Sequence, residues 1–426
     1  MKKKRMTHRK KSAPGPVAVF LITLGSVLLL GAVGIAVITV MPVIRAEKES
    51  NNESTMAKDD ALWEKIPERE KEEFHVDDEV LAENSRYADI LSDEEFMWAN
   101  RIYPWHAAKE DEVTLCFTGD VLFDDEYAIM ANLKNRGGAI TDGISTDLLE
   151  QMQGADILVV NNEFPYTKRG VPTEGKTYTF RAEPDTVSYL KDMGADVAII
   201  ANNHVYDFGE QGLLDTLDTL DGAGVCRIGA GRNLEEASAP VYFIVNDMKI
   251  AVIAATQIER LDNPDTKGAT ENSAGVFRCW NPEKLCEVVA QAKENSDFVI
   301  VCIHWGTENE SEPDWAQLDQ APKLAKAGAD LIIGDHPHCL QGITYCENTP
   351  VIYSLGNFWF NSKTVDTGMI RVSLSRDGIK SMQFIPAIQS DCRVNMVYGE
   401  ERERILSDLR NLSPGVQIDM DGMITR

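Results

Sequence analysis

Four of the seven histidines in this chain fall inside three short motifs, Ala201-Asn202-Asn203-His204, Cys302-Ile303-His304-Trp305-Gly306 and Gly334-Asp335-His336-Pro337-His338. Each motif closes a short apolar run rich in β-branched residues, at 196–200, 298–303 and 330–333. Such runs are expected for strands buried in a parallel sheet. Two earlier runs, 113–117 and 157–160, lead in the same way into Thr118-Gly119-Asp120 and Asn161-Asn162-Glu163. Ligands of open α/β sheets sit beyond the carboxyl ends of the strands. Five strands are therefore expected to bring Asp120, Asn161 and Glu163, Asn203 and His204, His304, and the pair His336 and His338 to one edge. Carboxylate, amide oxygen and imidazole together suit Mn, Fe, Zn or Mg rather than a thiolate cage. One histidine at a strand end reads equally well as a hydrogen-bonded core residue; recurrence at five strand ends favours metal ligation.

The elements that must hold these residues alternate. Helical patterns cover 184–193, 210–221, 282–295 and 315–327, the third with Pro282 in its first turn. Strands separated by helices imply right-handed crossovers with helices on the sheet faces. The runs 241–245, 250–254, 351–354, 369–374 and 381–385 are less regularly separated by helices. They are expected to form a second, more antiparallel sheet, which gives two packed sheets flanked by helices. A charged helix and a tail (391–426) close the chain, and no internal repeat is visible.

The N-terminus has a different texture. Residues 1–16 carry seven Lys/Arg, and residues 17–44 carry no charge. About 20 apolar residues cross a bilayer core, whereas a secretory h-region needs only about 7–15. A non-cleaved transmembrane signal anchor at 17–44 is expected, with cleavage after Ala46 as the alternative. The basic flank places the following chain outside the cytoplasmic membrane. Residues 45–112 read as an acidic extracytoplasmic linker passing into one or two short helices. Beyond residue 44, 35 of the 42 Lys/Arg remain against all 68 Asp/Glu. That balance excludes nucleic acid as a partner and disfavours anionic surfaces except where metal ions invert the local field. Eight cysteines occur without a CxxC pair, and only Cys279/Cys286 and Cys339/Cys346 are close. Buried free thiols and a disulfide framework both remain open.

Assembled, the motifs resemble the CapA family of poly-γ-glutamate capsule synthesis proteins, within the calcineurin-like metallophosphatase superfamily. The resemblance runs from Phe117-Thr118-Gly119-Asp120 through Asn161-Asn162-Glu163-Phe164-Pro165 and Asn202-Asn203-His204-Val205-Tyr206-Asp207-Phe208-Gly209. It continues through His304-Trp305-Gly306-Thr307-Glu308 and His336-Pro337-His338-Cys339-Leu340-Gln341-Gly342 to Tyr353-Ser354-Leu355-Gly356-Asn357-Phe358. It implies an α/β calcineurin-like metallophosphoesterase fold over 113–390, carrying one or two divalent metal ions. It also implies that Asp120, Glu163, Asn203, His304 and His336 complete one metal's shell, that His338 serves the other, and that His204 protonates a leaving group. Two departures stand out. Asp120 is followed by Val121-Leu122 where the superfamily has Asp-x-His, so one site lacks an imidazole. Asp124 and Asp125 stand where many relatives carry a basic residue.

Asn161, Arg181, Glu308 and Asn357 are the candidates for touching substrate or orienting ligands. Arg181 is the cation nearest the expected mouth, with a surface arginine as the default reading, and Glu308 reads either as an orienting residue or as a solvated side chain. Gly356 and Asn357 are read as a strained turn beneath the metals, with Asn357 bonding the backbone. Trp305 and Trp359 are read as packing. The implied function is synthesis, export or attachment of an anionic surface polymer such as poly-γ-glutamate, with that polymer or its synthase complex as partner, by metal-assisted hydrolysis or transfer. The alternatives are a metallophosphoesterase acting on a phosphorylated small molecule or cell-wall precursor, and a non-catalytic polymer-assembly subunit.

Overall fold

The computed structural model describes residues 76, 78–258 and 266–426. The basic tail and the expected anchor at 17–44 lie outside the described residues. Among the described residues no helix is long and apolar enough to cross a membrane.

The principal strands, in chain order, are β1 (Ile102–Pro104), β2 (Val113–Val121), β3 (Ile157–Asn162), β4 (Val197–Ile199), β5 (Cys226–Ile228), β6 (Val241–Val245), β7 (Met248–Thr256) and β8 (Phe298–His304). They continue with β9 (Leu331–Asp335), β10 (Ile343–Cys346), β11 (Thr349–Ile352), β12 (Asn357–Trp359), β13 (Val365–Ser375), β14 (Gly378–Ser390) and β15 (Arg393–Met396). One sheet runs β1-β6-β7-β8-β9-β11-β10, and the other β15-β14-β13-β2-β3-β4-β5 with β12 paired to β2. The strands that end in the motifs pair in parallel, β2 with β3 and β3 with β4 in one sheet, and β8 with β9 in the other.

Period-two alternation within fully buried strands explains how both faces of each sheet are covered. In β8, Phe298, Ile300 and Cys302 join a core with Leu115, Phe117, Val159 and Val197 of the opposite sheet. The intervening Val299, Val301 and Ile303 pack on Leu285, Val289 and Leu324 of the outer helices. In the second sheet Cys116, Leu158, Val160 and Ala198 face Leu133, Leu190, Leu213 and Leu217. The result is a helix–sheet–sheet–helix sandwich. Each buried aliphatic side chain contributes roughly 1.5–3 kcal/mol.

Helices at Val187–Met193, Gly209–Ala223, Glu283–Asn295 and Trp315–Ala327 lie where the periodicity places them. The last starts at Asp314, whose carboxylate accepts from the Ala316 and Gln317 amides, and stops at Gly328 with φ +117°. Part of the 45–112 stretch is built into the sandwich: β1 pairs with β6, and Leu91, Met97 and Ile102 pack on Ile244.

Two sheet assignments need correction. The five motif-bearing strands do not share one sheet edge, because β2, β3 and β4 lie in one sheet and β8 and β9 in the other. The runs at 241–245, 250–254 and 351–354 join β8 and β9, and only those at 369–374 and 381–385 join β2. The central strands of both sheets are buried at every position, so the pattern of a single strand carries no record of its neighbours.

Candidate metal centre

The carboxyl ends of β2, β3, β8 and β9 meet where the sheets abut, and the first close approach there is between backbones. The Asp120 amide donates to Gly356 O at 2.9 Å. A Cβ on Gly119 would lie 1.9 Å from that same oxygen. Glycine at 119 is therefore required for β12 to hold Asp120 in place. Gly356 itself sits at φ +67°.

Asp120 is fully buried, and its two oxygens point to different partners. Oδ1 accepts from Asn161 Nδ2 at 2.7 Å, and Oδ2 lies 3.0 Å from His338 Nδ1. The same His338 nitrogen lies 2.9 Å from Asn357 Oδ1. Asn357 thus orients an imidazole through its side chain, which corrects the expectation that it bonds the backbone.

Around His304 the donors crowd. Its Nε2 lies 2.8 Å from Asn203 Oδ1, 3.1 Å from His336 Nδ1 and 3.6 Å from Glu163 Oε1. Atoms that ligate one ion at about 2.1 Å stand roughly 3.0–3.4 Å apart, so this spacing matches a coordination shell. Among the described residues neither carboxylate oxygen of Glu163 has a hydrogen-bond partner, although both are buried. Two groups of possible ligands result, Glu163 with His304 and His336, and Asp120 with Glu163 and His338. Glu163 belongs to both. Burying an unpaired carboxylate is costly, and a cation removes that cost. The residues fit divalent metal, which when bound supplies Lewis acidity toward an oxygen-bearing substrate and lowers the pKa of water.

The electrostatics agree with ligation. Burial holds the His304 and His336 imidazoles well below their ordinary range, as do the neighbouring imidazoles, so both rings are neutral donors. Burial, reinforced by Asp120, pushes the Glu163 carboxyl well up. Burial also opposes charge on His338, but the hydrogen bond and charge of Asp120 outweigh it and raise that ring. The backbone is strained at the same place: His336 has φ +100° and His338 φ +59°.

His204 is set apart from these groups. Its Nδ1 lies 2.7 Å from Asp207 Oδ2, and its Nε2 lies 3.9 Å from Glu163 Oε1. The ring packs on Phe180 at 4.2 Å between centroids. Asn202 fixes the turn by accepting from the His204 and Val205 amides. Asp207 in turn accepts from the Phe180 amide at 2.7 Å and is paired with the buried ammonium of Lys176, which also bonds Asn203 O. Burial lowers the His204 pKa.

A family model described as bacterial capsule synthesis protein PGA_cap matches residues 114–362. The chain belongs to that family. The PGA biosynthesis protein CapA of Bacillus subtilis (strain 168) is 30% identical over 300 residues, which is 68% of this chain and 76% of that one. The capsule biosynthesis protein CapA of Bacillus anthracis is 28% identical over 304 residues, covering 68% and 71%. The PGA_cap match takes in every strand that carries a motif.

The structure brings Asp120, Asn161, Glu163, Asn203, His204, His304, His336, His338 and Asn357 together. It leaves two expected residues outside the ligand groups, although the charge of Glu308 helps to raise the His338 ring. Glu308 is exposed, and the Arg181 guanidinium lies over the Phe208 ring at 4.7 Å and 4.0 Å from Glu126. Lys176, not Arg181, is the cation bonded within the site; it lies on a loop with no strand-end register to reveal it. Asp207 follows His204 by three residues in the Asn202–Gly209 motif, and that spacing is its signal in the sequence. Asp124 is buried and accepts from the Arg181 and Glu126 amides, so it organises the loop. Trp305 and Trp359 are buried and donate to Tyr353 O and Cys392 O, so both are packing residues. All eight cysteines are free thiols.

Proposed function

We propose that this chain is a membrane-anchored, outward-facing capsule synthesis protein with a calcineurin-like metallophosphoesterase fold. It acts in making, exporting or attaching an anionic polymer of the poly-γ-glutamate type, by metal-assisted hydrolysis or transfer at an amide or phosphoester bond. Similarity to the PGA biosynthesis protein of Bacillus subtilis supports the polymer, and similarity to the capsule biosynthesis protein of Bacillus anthracis supports the capsule. The apolar segment 17–44 behind seven basic residues supports the anchor.

The observation that carries the chemistry is Glu163, a buried carboxylate shared by two ligand groups and bonded to neither. The neighbouring His204 favours catalysis over a purely structural metal site. Its Nδ1–H donates to Asp207, which holds the ring still and leaves Nε2 facing the ligand groups. Lys176 keeps Asp207 neutralised. A proton carried at Nε2 is placed to pass to a leaving amine or alcohol.

The test is turnover by the full-length protein on poly-γ-glutamate and on a panel of phosphoesters, before chelation, after it, and after reloading with Mn²⁺ or Zn²⁺. Activity that is lost and then restored is expected. Activity untouched by complete metal removal, or none on either substrate class, overturns the catalytic reading. A mature N-terminus at Glu47 or later in membrane-extracted protein overturns the anchor.

A further inference from the structure

We propose that Asp335 is a further anionic ligand of the metal cluster, a hard oxygen donor that compensates for the imidazole missing after Asp120. The inference rests on the reading that the site holds divalent metal.

Register places the side chain. Asp335 is the last residue of β9 and pairs directly with His304, the last of β8. In-register neighbours on adjacent strands project to the same face. The His304 ring enters the ligand cluster, so the Asp335 carboxyl lies on the same face of the sheet, beside the two ligand groups rather than within either. The strand end is fixed, because the Trp305 amide donates to Asp335 O at 3.1 Å.

The surroundings leave that carboxylate without a role unless a cation is present. Asp335 is 2% exposed, and among the described residues its Oδ1 has no hydrogen-bond partner. Asp120 and Glu163 are buried as well. Three carboxylates, Asp120, Glu163 and Asp335, thus occupy one buried region. Lys176, the nearby cation, is committed to Asp207 and Asn203 O. Two divalent ions would balance three carboxylates and leave one positive charge to attract an anionic substrate.

The position left without an imidazole belongs to Leu122, which is itself buried. A carboxylate oxygen added to the cluster from β9, where no second nitrogen comes from the Asp120 loop, shifts preference from Zn²⁺ toward Mn²⁺ or Mg²⁺. The strained backbone immediately after Asp335, with His336 at φ +100°, aims two consecutive side chains into one site.

The experiment is Mn²⁺ titration by calorimetry of the full-length protein and its D335N variant, with anomalous diffraction of Mn²⁺-loaded wild type. D335N should weaken Mn²⁺ binding by roughly 10–100-fold while retaining Zn²⁺ at the histidines. The anomalous map should show an ion within about 2.5 Å of an Asp335 oxygen. Unchanged Mn²⁺ affinity in D335N, or ions at His304 and His336 with none within ~4 Å of Asp335, would overturn the assignment. The diffraction arm decides the matter if D335N does not fold. No ion at His304 or His336 would instead overturn the metal reading on which it stands.

Discussion

His204 and Asp207 form a bonded pair, Nδ1 to Oδ2 at 2.7 Å, whose free face looks at Glu163 across 3.9 Å. An imidazole beside the ligand groups, but held by a carboxylate outside them, is arranged to move a proton rather than to bind metal. His204→Ala should therefore keep its metal and lose about 10²–10⁴-fold in turnover on a substrate with a poor leaving group. The loss should shrink on a nitrophenyl ester. Equal losses on both would assign His204 to structure or substrate binding.

The same pair predicts non-additivity. Asp207→Ala removes the acceptor that fixes the ring, and Lys176→Met removes the charge that supports the acceptor. Each should reduce turnover with metal content unchanged, and combining either with His204→Ala should cost little more than His204→Ala alone. Full additivity in steady-state kinetics would separate them from His204.

Ligand removal should be visible in stability as well as in composition. His304→Ala and His336→Ala should each lower metal content and melting temperature. A ligand at 100-fold excess over its Kd adds about 2.7 kcal/mol to the folded state. All eight thiols lie outside the two ligand groups, so cysteine substitutions should leave metal content intact. Elemental analysis and thermal melts of the same preparations check both statements.

Much of this centre was legible in the sequence because its parts sit at strand ends, where hydrophobic runs stop and polar residues begin. Asp120, Glu163, Asn203, His304 and His336 are all of this kind. Lys176 was not legible, because a lysine in an irregular loop looks solvated until the fold buries it against Asp207. Asp335 lies in the Gly334–His338 motif, but the sequence does not tell whether a strand's last carboxylate points to the site or away from it until the register with His304 is known. Sheet membership was hidden for a different reason: which of two buried strands pairs with β8 depends on contacts far apart in the chain.

Gly119 gives a steric prediction. In Gly119→Ala the new methyl carbon would meet Gly356 O, and backbone must shift at both β2 and β12. A cost on the order of 1–3 kcal/mol is expected, together with weaker metal binding through displaced Asp120. Denaturant unfolding of the metal-free and loaded variant measures both.

Away from the metal, Asp196 predicts a pH dependence. Burial raises its pKa from 3.8 to about 6, even though Oδ2 accepts from the Leu158 amide. Its folded-state pKa exceeds the unfolded value, so its contribution is fully present below about pH 3.8 and is lost as pH rises through about 6. Asp196→Asn keeps an acceptor without the charge. It should raise the melting temperature above pH 6, have little effect below pH 4, and flatten the slope between. An unchanged slope in melts across that range would contradict the raised pKa of this half-buried carboxyl.

Glu163 is the residue on which the whole centre turns, since both ligand groups share it. The most direct measurement is metal content, by plasma mass spectrometry, of the full-length wild type beside Glu163→Gln after identical Mn²⁺ or Zn²⁺ loading and desalting. Wild type should retain about one to two ions per chain and Glu163→Gln far fewer, while the two metal-free proteins melt alike, because burial already disfavours charge on Glu163 when no metal is bound. Equal metal content in the two proteins, or none in wild type, would contradict a carboxylate-centred metal site.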